Sequence, residues 1–133
     1  LHGEPLDVTV RVVSLHDGRF REDQPRHGGI TEFDQGRTAI CQTEHGLTLM
    51  LTSRRMVPFS LQQLSSCGLD PRRFRILVAK GVNAPIAAYG DVCERFIRVD
   101  TRGSTSANLS RLSYEHRRRP MFPWEPSAEF DAA

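Results

Sequence analysis

Of the 18 basic residues in this 133-residue chain only one, Lys80, is a lysine, which leaves 17 arginines. The two side chains differ in chemistry. Arginine presents a planar fork that stays charged, whereas lysine is a compact, flexible point charge whose pKa moves on burial. Lys80 closes the apolar run Phe74-Arg75-Ile76-Leu77-Val78-Ala79 and leads into Gly81-Val82-Asn83-Ala84-Pro85. A strand that ends in a charge, followed by a glycine turn and a proline-led helix start, is where α/β proteins place ligand groups. The same position also suits a lysine whose stem lies along apolar surface while its ammonium reaches water. Arg54 and Arg55 follow the alternating segment 47–53, and Thr101 and Arg102 follow the segment 96–100. If 47–53, 74–80 and 96–100 are parallel strands of one sheet, these groups gather with Lys80 and Asn83 on one edge. Such an edge can grip a carboxylate, as bidentate arginine does well, or it can be a salt-bridged rim.

A self-contained active site is not legible. The sequence has no HExxH, GxSxG, P-loop or GxGxxG pattern. The five histidines, His2, His16, His27, His45 and His116, fall in expected turns, loops or tails, without helix-face spacing for a metal. Asp17, Asp34 and Asp100 sit at turn positions that side-chain capping explains. Cys41, Cys67 and Cys93 are an odd number of thiols with no CxxC, so no closed disulfide framework is expected. Free thiols in a reducing cytoplasm are the simplest account. No catalytic residue and no metal ligand is therefore assigned to this chain.

Length and composition fit one soluble domain, with 38% hydrophobic and 26% charged residues. No apolar run approaches the ~18 residues of a membrane span. The start, Leu1-His2-Gly3-Glu4-Pro5, lacks both a signal-like apolar stretch and an initiator methionine, so a fragment of a longer protein is expected. A formal net charge of +2 argues against a dedicated nucleic-acid binder. Arg117-Arg118-Arg119 is the one dense basic run and reads as a solvated tail segment.

Residues 6–15 read as a strand, with Val8, Val10 and Val12 on one face and Thr9, Arg11 and Val13 on the other. Asp17-Gly18 reads as a hairpin turn with a partner strand beginning near Arg19. Residues 22–35 read as a long polar loop. Residues 37–43 and 47–53 form a second expected hairpin across Glu44-His45-Gly46. Residues 60–66 suit a short helix, with Ser60 as N-cap and Gly68 as the stop. Strand 74–80, helix 84–93, strand 96–100 and a last helix near 106–112 follow. The fold class read from this order is α/β with a mixed sheet: N-terminal antiparallel hairpins, then a βαβαβ unit with parallel strands and right-handed crossovers. Residues 1–126 are taken as a single domain and 127–133 as a disordered tail. The aromatics of the proline-rich segment 119–126 are expected to pack on this domain's surface or a neighbour's.

Taken in order, several short motifs resemble the C-terminal region of the MlrC family, the microcystinase C-like metallopeptidases and related proteins. They are Pro5-Leu6-Asp7-Val8 with Asp17-Gly18, Thr52-Ser53-Arg54-Arg55, Gly68-Leu69-Asp70-Pro71 and Val78-Ala79-Lys80-Gly81. Asn83-Ala84-Pro85, Val99-Asp100-Thr101 with Gly103, and Arg119-Pro120 complete the set. The resemblance implies a two-part protein whose larger N-terminal domain carries zinc and the hydrolytic chemistry, so zinc is expected in the parent protein and not in this chain. It implies that the present domain packs on that metal domain and helps close a site for a peptide or small amide. A homodimer is the other assembly considered, and a non-catalytic interaction domain is the alternative function. Lys80, Asn83 and Arg55 are then the candidate substrate-binding residues. The chain departs from the family pattern at two points. Relatives carry Lys-Ser and His-Phe-Arg where Lys80-Gly81 and Asn83-Ala84-Pro85 stand here, and Pro-Gly where Arg102-Gly103 stands. The first departure lies beside the candidate site and bears on substrate choice.

Overall fold

Two stretches rich in β-branched and aromatic residues, 11–22 and 31–42, pair along their whole length as one antiparallel ribbon. In the computed structural model, which describes residues 5–24, 28–101, 108–122 and 124–125, the ribbon comprises four short strands. β1 (Arg11–His16) pairs with β4 (Thr38–Gln42), and β2 (Arg19–Arg21) pairs with β3 (Glu32–Asp34). Backbone bonds carry the ladder across the break, from Gln35 N–H to Gly18 O at 3.0 Å, and beyond it, from Glu22 N–H to Thr31 O at 2.8 Å. β5 (Thr48–Thr52) adds to the outer side of β4, giving the order β1-β4-β5.

The ribbon bends where it is pinched. A Cβ on Gly18 would lie 1.8 Å from the carbonyl oxygen of Gly36, and Gly18 has φ +77°. No other residue fits there. Gly36 is itself left-handed at φ +70°, and its N–H is held by Asp34 Oδ1 at 2.7 Å. Asp17-Gly18 is therefore not the hairpin turn expected from the sequence. β2 begins at Arg19, but the chain passes straight on, and β2 pairs with β3 instead of folding back on β1. Part of the expected polar loop 22–35 is thus strand.

The core of this region is aromatic. Phe20, Phe33 and Phe59 form a cluster with ring centroids 4.7–6.1 Å apart. Stacked and tilted pairs of this kind add ~0.5–1.5 kcal/mol each beyond area burial. Helix α1 (Gln62–Ser65) lies against β2. Its start is a reciprocal cap: Ser60 Oγ accepts from Gln62 N–H at 3.0 Å, while Gln63 Oε1 accepts from Ser60 N–H at 3.2 Å. Ser60 Oγ also donates to Glu22. The helix ends at Gly68, φ +74°, with Leu69 N–H bonded to Leu64 O and Gly68 N–H to Ser65 O. A 3-10 turn, Pro71–Arg73, and helix α2 (Ala84–Tyr89) follow.

The expected parallel unit does not form. Both sheets are wholly antiparallel, and residues 74–80 and 96–100 carry no strand. The α/β class with a βαβαβ unit is corrected to small antiparallel sheets with few short helices. An apolar run becomes a strand only where a neighbour offers a ladder, and neither segment has one here. Helix 84–93 ends at Tyr89, and the helix expected near 106–112 is a 3-10 turn at Leu109–Arg111, with residues 106 and 107 outside the described residues. The tail 127–133 also lies outside them.

The chain divides into two compact units, Asp7–Ile97 and a second comprising Leu1–Leu6 with Arg98–Ala133. In the second, Arg111 Nη1 binds Asp100 Oδ2 at 3.0 Å. Gly46, at φ +83° with open space where a Cβ would stand, provides the control for Gly18. Gly46→Ala is expected to cost about 1–2 kcal/mol, the ordinary left-handed penalty. Gly18→Ala should cost at least twice as much because it also drives strands apart. Urea unfolding checks this, and equal losses would refute the pinch.

Candidate functional site

The three residues singled out by sequence lie on two neighbouring segments. Arg55 follows β5, and Lys80 and Asn83 lie on the irregular stretch that leads into α2. Asn83 occupies the N-cap of α2 without a side-chain capping bond, and Pro85 stands in the first turn. A Cβ on Gly81 would fall 2.9 Å from Pro85 Cδ and 3.6 Å from Pro58 Cγ. The segment after Arg55 and the turn after Lys80 therefore meet at a Pro58–Gly81–Pro85 contact. Arg55, Lys80 and Asn83 are all exposed around it. Among the described residues Lys80 and Arg55 have no ion-pair partner.

The sheet edge that was to gather the strand-end groups is not present, and those groups divide. Arg54 is taken up by Asp34, with Nη1 to Oδ2 at 2.5 Å, and its N–H bonds to Gln35 O. This pair locks the exit of β5 onto the ribbon. At 64% and 35% side-chain exposure it is worth at most ~1 kcal/mol. Thr101 is exposed, and Arg102 lies outside the described residues. Lys80 and Asn83 flank the Gly81 turn, and Arg55 lies three residues before Pro58; all three are exposed. Groups of these types can hold a carboxylate or a carbonyl oxygen.

The remaining reactive groups are engaged elsewhere. Cys41, Cys67 and Cys93 are free thiols, the first two buried. Burial pushes the Cys67 thiol up, against a lowering hydrogen bond from Ser66, so its thiolate is disfavoured. Gln35 Nε2 approaches Cys67 Sγ at 4.0 Å, and Gln35 Oε1 is buried without a partner. Among the described residues no group of three or more His, Cys, Asp or Glu side chains could hold a metal ion. A shallow groove of about 230 Å³ is lined by Arg72 and residues 90–94, away from the Gly81 turn. It is smaller than the ~300 Å³ typical of ligand pockets.

Comparison with known proteins places this geometry. The family model described as MlrC C-terminus matches residues 1–116. The chain belongs to the MlrC C-terminal family. No curated protein and no solved structure matches it. The MlrC match spans the first unit whole, including the Arg55, Lys80 and Asn83 positions, and extends into the second.

Beyond the matched residues, apart from Tyr114, the chain also holds a cluster that the sequence did not reveal. Arg117, read from sequence as solvated, is only 12% exposed and forms a fork on Glu125, at 2.6 and 2.5 Å. Glu125 Oε2 also accepts from Met121 N–H at 2.9 Å. The Arg117 guanidinium lies 5.2 Å from the Trp124 ring centroid, and Trp124 meets Tyr114 edge-on at 5.1 Å. The tail aromatic thus packs on its own unit. The signal in the sequence was Arg and Trp-Glu flanking a proline-rich segment, but no regular period connects them.

The Arg117 hydrogen bonds, with the Met121 amide, hold the Glu125 carboxyl at about 2. A carboxylate depressed in the folded state contributes fully above its unfolded pKa, ~4.5, and its contribution is lost as pH falls through the folded value. Fluorescence of Trp124, the sole tryptophan, should therefore stay constant from pH 7 to ~4 and shift towards a solvated spectrum only as pH falls through about 2. Glu125→Gln should show the solvated spectrum already at pH 7. A wild-type spectrum already solvated at pH ~4 would contradict the fork.

Proposed function

We propose that this MlrC domain is the C-terminal part of a zinc-dependent hydrolase of peptides or small amides. On this reading it packs on an N-terminal metal domain of the same protein and helps close the site that domain carries. The observation that carries the proposal is the family match across residues 1–116. The exposed cationic groups at the Gly81 turn support it, because they are the kind of group a hydrolase uses at the far side of its substrate. In such an enzyme the metal supplies an activated water and polarises the scissile carbonyl. Lys80 and Arg55 would hold the substrate's carboxylate or a carbonyl oxygen in place, and Asn83 would add an amide donor. The three free thiols fit a reducing compartment, and we place the protein in the cytoplasm. Among the described residues no helix is long and apolar enough to cross a membrane.

The alternative is a non-catalytic assembly domain, favoured by the amount of apolar surface left exposed. One substitution separates the two. Lys80→Met in the full-length protein keeps the stem and removes the charge. A lost charge-assisted contact of ~1.5–3 kcal/mol lowers kcat/KM by roughly 10–100-fold, with bound zinc and thermal stability unchanged. Unaltered turnover would remove Lys80 from the site, and absence of any zinc-dependent amide hydrolysis by the wild type would remove the hydrolase reading.

A further inference from the structure

The β1-β4-β5 sheet has two outer edges, and they are built differently. β1 carries the devices that protect an edge: its register shifts between Val12 and Ser14, and Arg11 stands at its start. β5 has neither. Thr48-Leu49-Met50-Leu51-Thr52 pairs with β4 without a shift, and it contains no charge, glycine or proline. The bonds from Thr43 N–H to Leu47 O and from Ser53 N–H to Arg37 O fix the phase of that pairing. Leu47, Leu49, Leu51 and Ser53 therefore turn their backbone groups to β4, and Thr48, Met50 and Thr52 turn theirs outward. Three N–H and three C=O groups line this edge, and no strand among the described residues pairs with them.

The same Asp7–Ile97 unit holds a strand-like segment without a ladder. Phe74 is extended, at φ -100° and ψ 134°, and Arg75-Ile76-Leu77-Val78-Ala79 after it contains no glycine or proline. Among the described residues, none makes a hydrogen bond to the backbone of residues 75–82. Ile76 and Val78 are 79% and 93% exposed, while Leu77 and Ala79 are half-buried. That alternation is the pattern of a strand with one face on its own domain and the other in water. An unprotected edge and an unpaired apolar strand are each a template for pairing with another chain.

The two features fit each other. With residues 74–78 laid centrally along 47–51, Ile76 falls opposite Leu49 whether the strands run parallel or antiparallel. Phe74 and Val78 then fall opposite Leu47 and Leu51, in one order or the other. Residues directly opposite share a face, so apolar side chains meet apolar ones. Arg75, the one charge in such a ladder, lies in the row of Thr48 and Met50, and no like charges come into register. Within one copy the two segments are not paired. Two copies related by a two-fold axis satisfy the edge and the segment of each at once, which is a closed, isologous arrangement. The outward groups of two β5 edges then make about a dozen hydrogen bonds, within the ~10 ± 5 of a typical protein interface.

We propose that the MlrC domain dimerises by reciprocal strand addition, with residues 74–78 of one copy laid along the β5 edge of its partner. The proposal uses surfaces of this chain alone and stands apart from the hydrolase reading.

The test is the mass of the full-length protein by sedimentation velocity, and the expected species is a dimer. Ile76→Asp and Val78→Asp place a carboxylate at water-exposed positions, which the fold of a single copy accommodates. In a two-fold pair each acts at both ladders, so each should raise the dimer dissociation constant by about 100-fold. Val8→Asp, at a 46% exposed position outside both segments, should leave it unchanged. Mixed Ile76→Cys and Leu49→Cys proteins locate the contact: under mild oxidation each should link to the other in preference to its own kind. A monomeric wild type, a dimer that survives both Asp substitutions, or links only between like copies overturns the proposal. Neither readout depends on turnover, so a strand-exchanged dimer without hydrolase activity keeps this interface and discards the hydrolase.

Discussion

Two strands cross at Gly18 and Gly36 with no room for a side chain between them, and the Asp7–Ile97 unit is organised around that crossing. On one side the ribbon widens into the β1-β4-β5 sheet. On the other it carries Phe20 and Phe33 to Phe59 and to the capped α1. Thr38 Oγ1 donates to Gly36 O, and Ser53 N–H bonds to Arg37 O, so the exit of β5 is fixed by the same few atoms. The arrangement is cooperative because each bond needs the pinch to be closed. Adding a methyl group at Gly18 would separate two sheets as well as strain one residue.

The same geometry explains why the domain has so small an interior. Among the described residues the buried apolar side chains are Phe20, Ile40, Cys41, Cys67, Ala88 and Tyr89, while large aliphatics such as Leu15, Ile76 and Val78 stay in water. Full burial of each such aliphatic would contribute ~1.5–3 kcal/mol. A two-layer structure buries the inner faces of both layers, and in the β1-β4-β5 sheet only the central strand is buried, at Ile40 and Cys41, while Val12, Leu15 and Leu51 on the edge strands stay exposed.

What was legible in the sequence was local. Alternation of Leu47, Leu49 and Leu51 with Thr48, Met50 and Thr52 marked β5, and Glu44-His45-Gly46 marked its turn with β4. Ser60 and Gly68 bracket α1 more widely than the helix itself runs, Gln62–Ser65 between Leu61 and Ser66 caps, although Ser60 Oγ does accept from Gln62 N–H. What failed was pairing. Asp17-Gly18 has hairpin chemistry, but its glycine is used for close approach between strands, a property of the partner Gly36 as much as of itself. The alternation of residues 8–13 set Arg11 and Val12 on opposite faces, as the register does, but it does not foresee the phase change beyond Val12, because a bulge leaves no compositional mark. Residues 74–80 have the apolar content of a buried strand, yet Ile76 and Val78 are 79% and 93% exposed. Apolar content states that a segment wants a partner, not that the same chain provides one. The candidate site divides likewise: Lys80 stood out by type, whereas the Pro58–Gly81 contact that brings its turn beside the Arg55 segment depends on ring packing at a separation no motif records.

The choice of lysine at position 80 gains meaning in that setting. An exposed ammonium 4 Å from a carboxylate attracts it by only about 1 kcal/mol in water, but by about 4 kcal/mol at the effective dielectric of a protein surface closed over it. Lys80 and Arg55 are exposed here. If a metal domain seats on this one, the same charges strengthen when water leaves, with no rearrangement of this chain beyond side-chain torsions. A flexible point charge suits that role better than a guanidinium fork, because it can adjust to a surface that arrives from outside. Arg117 against Glu125 and Arg54 against Asp34 are arginines whose partner is already in place, whereas the exposed Arg55 has none among the described residues, so the type of cation does not by itself tell which charges await a partner.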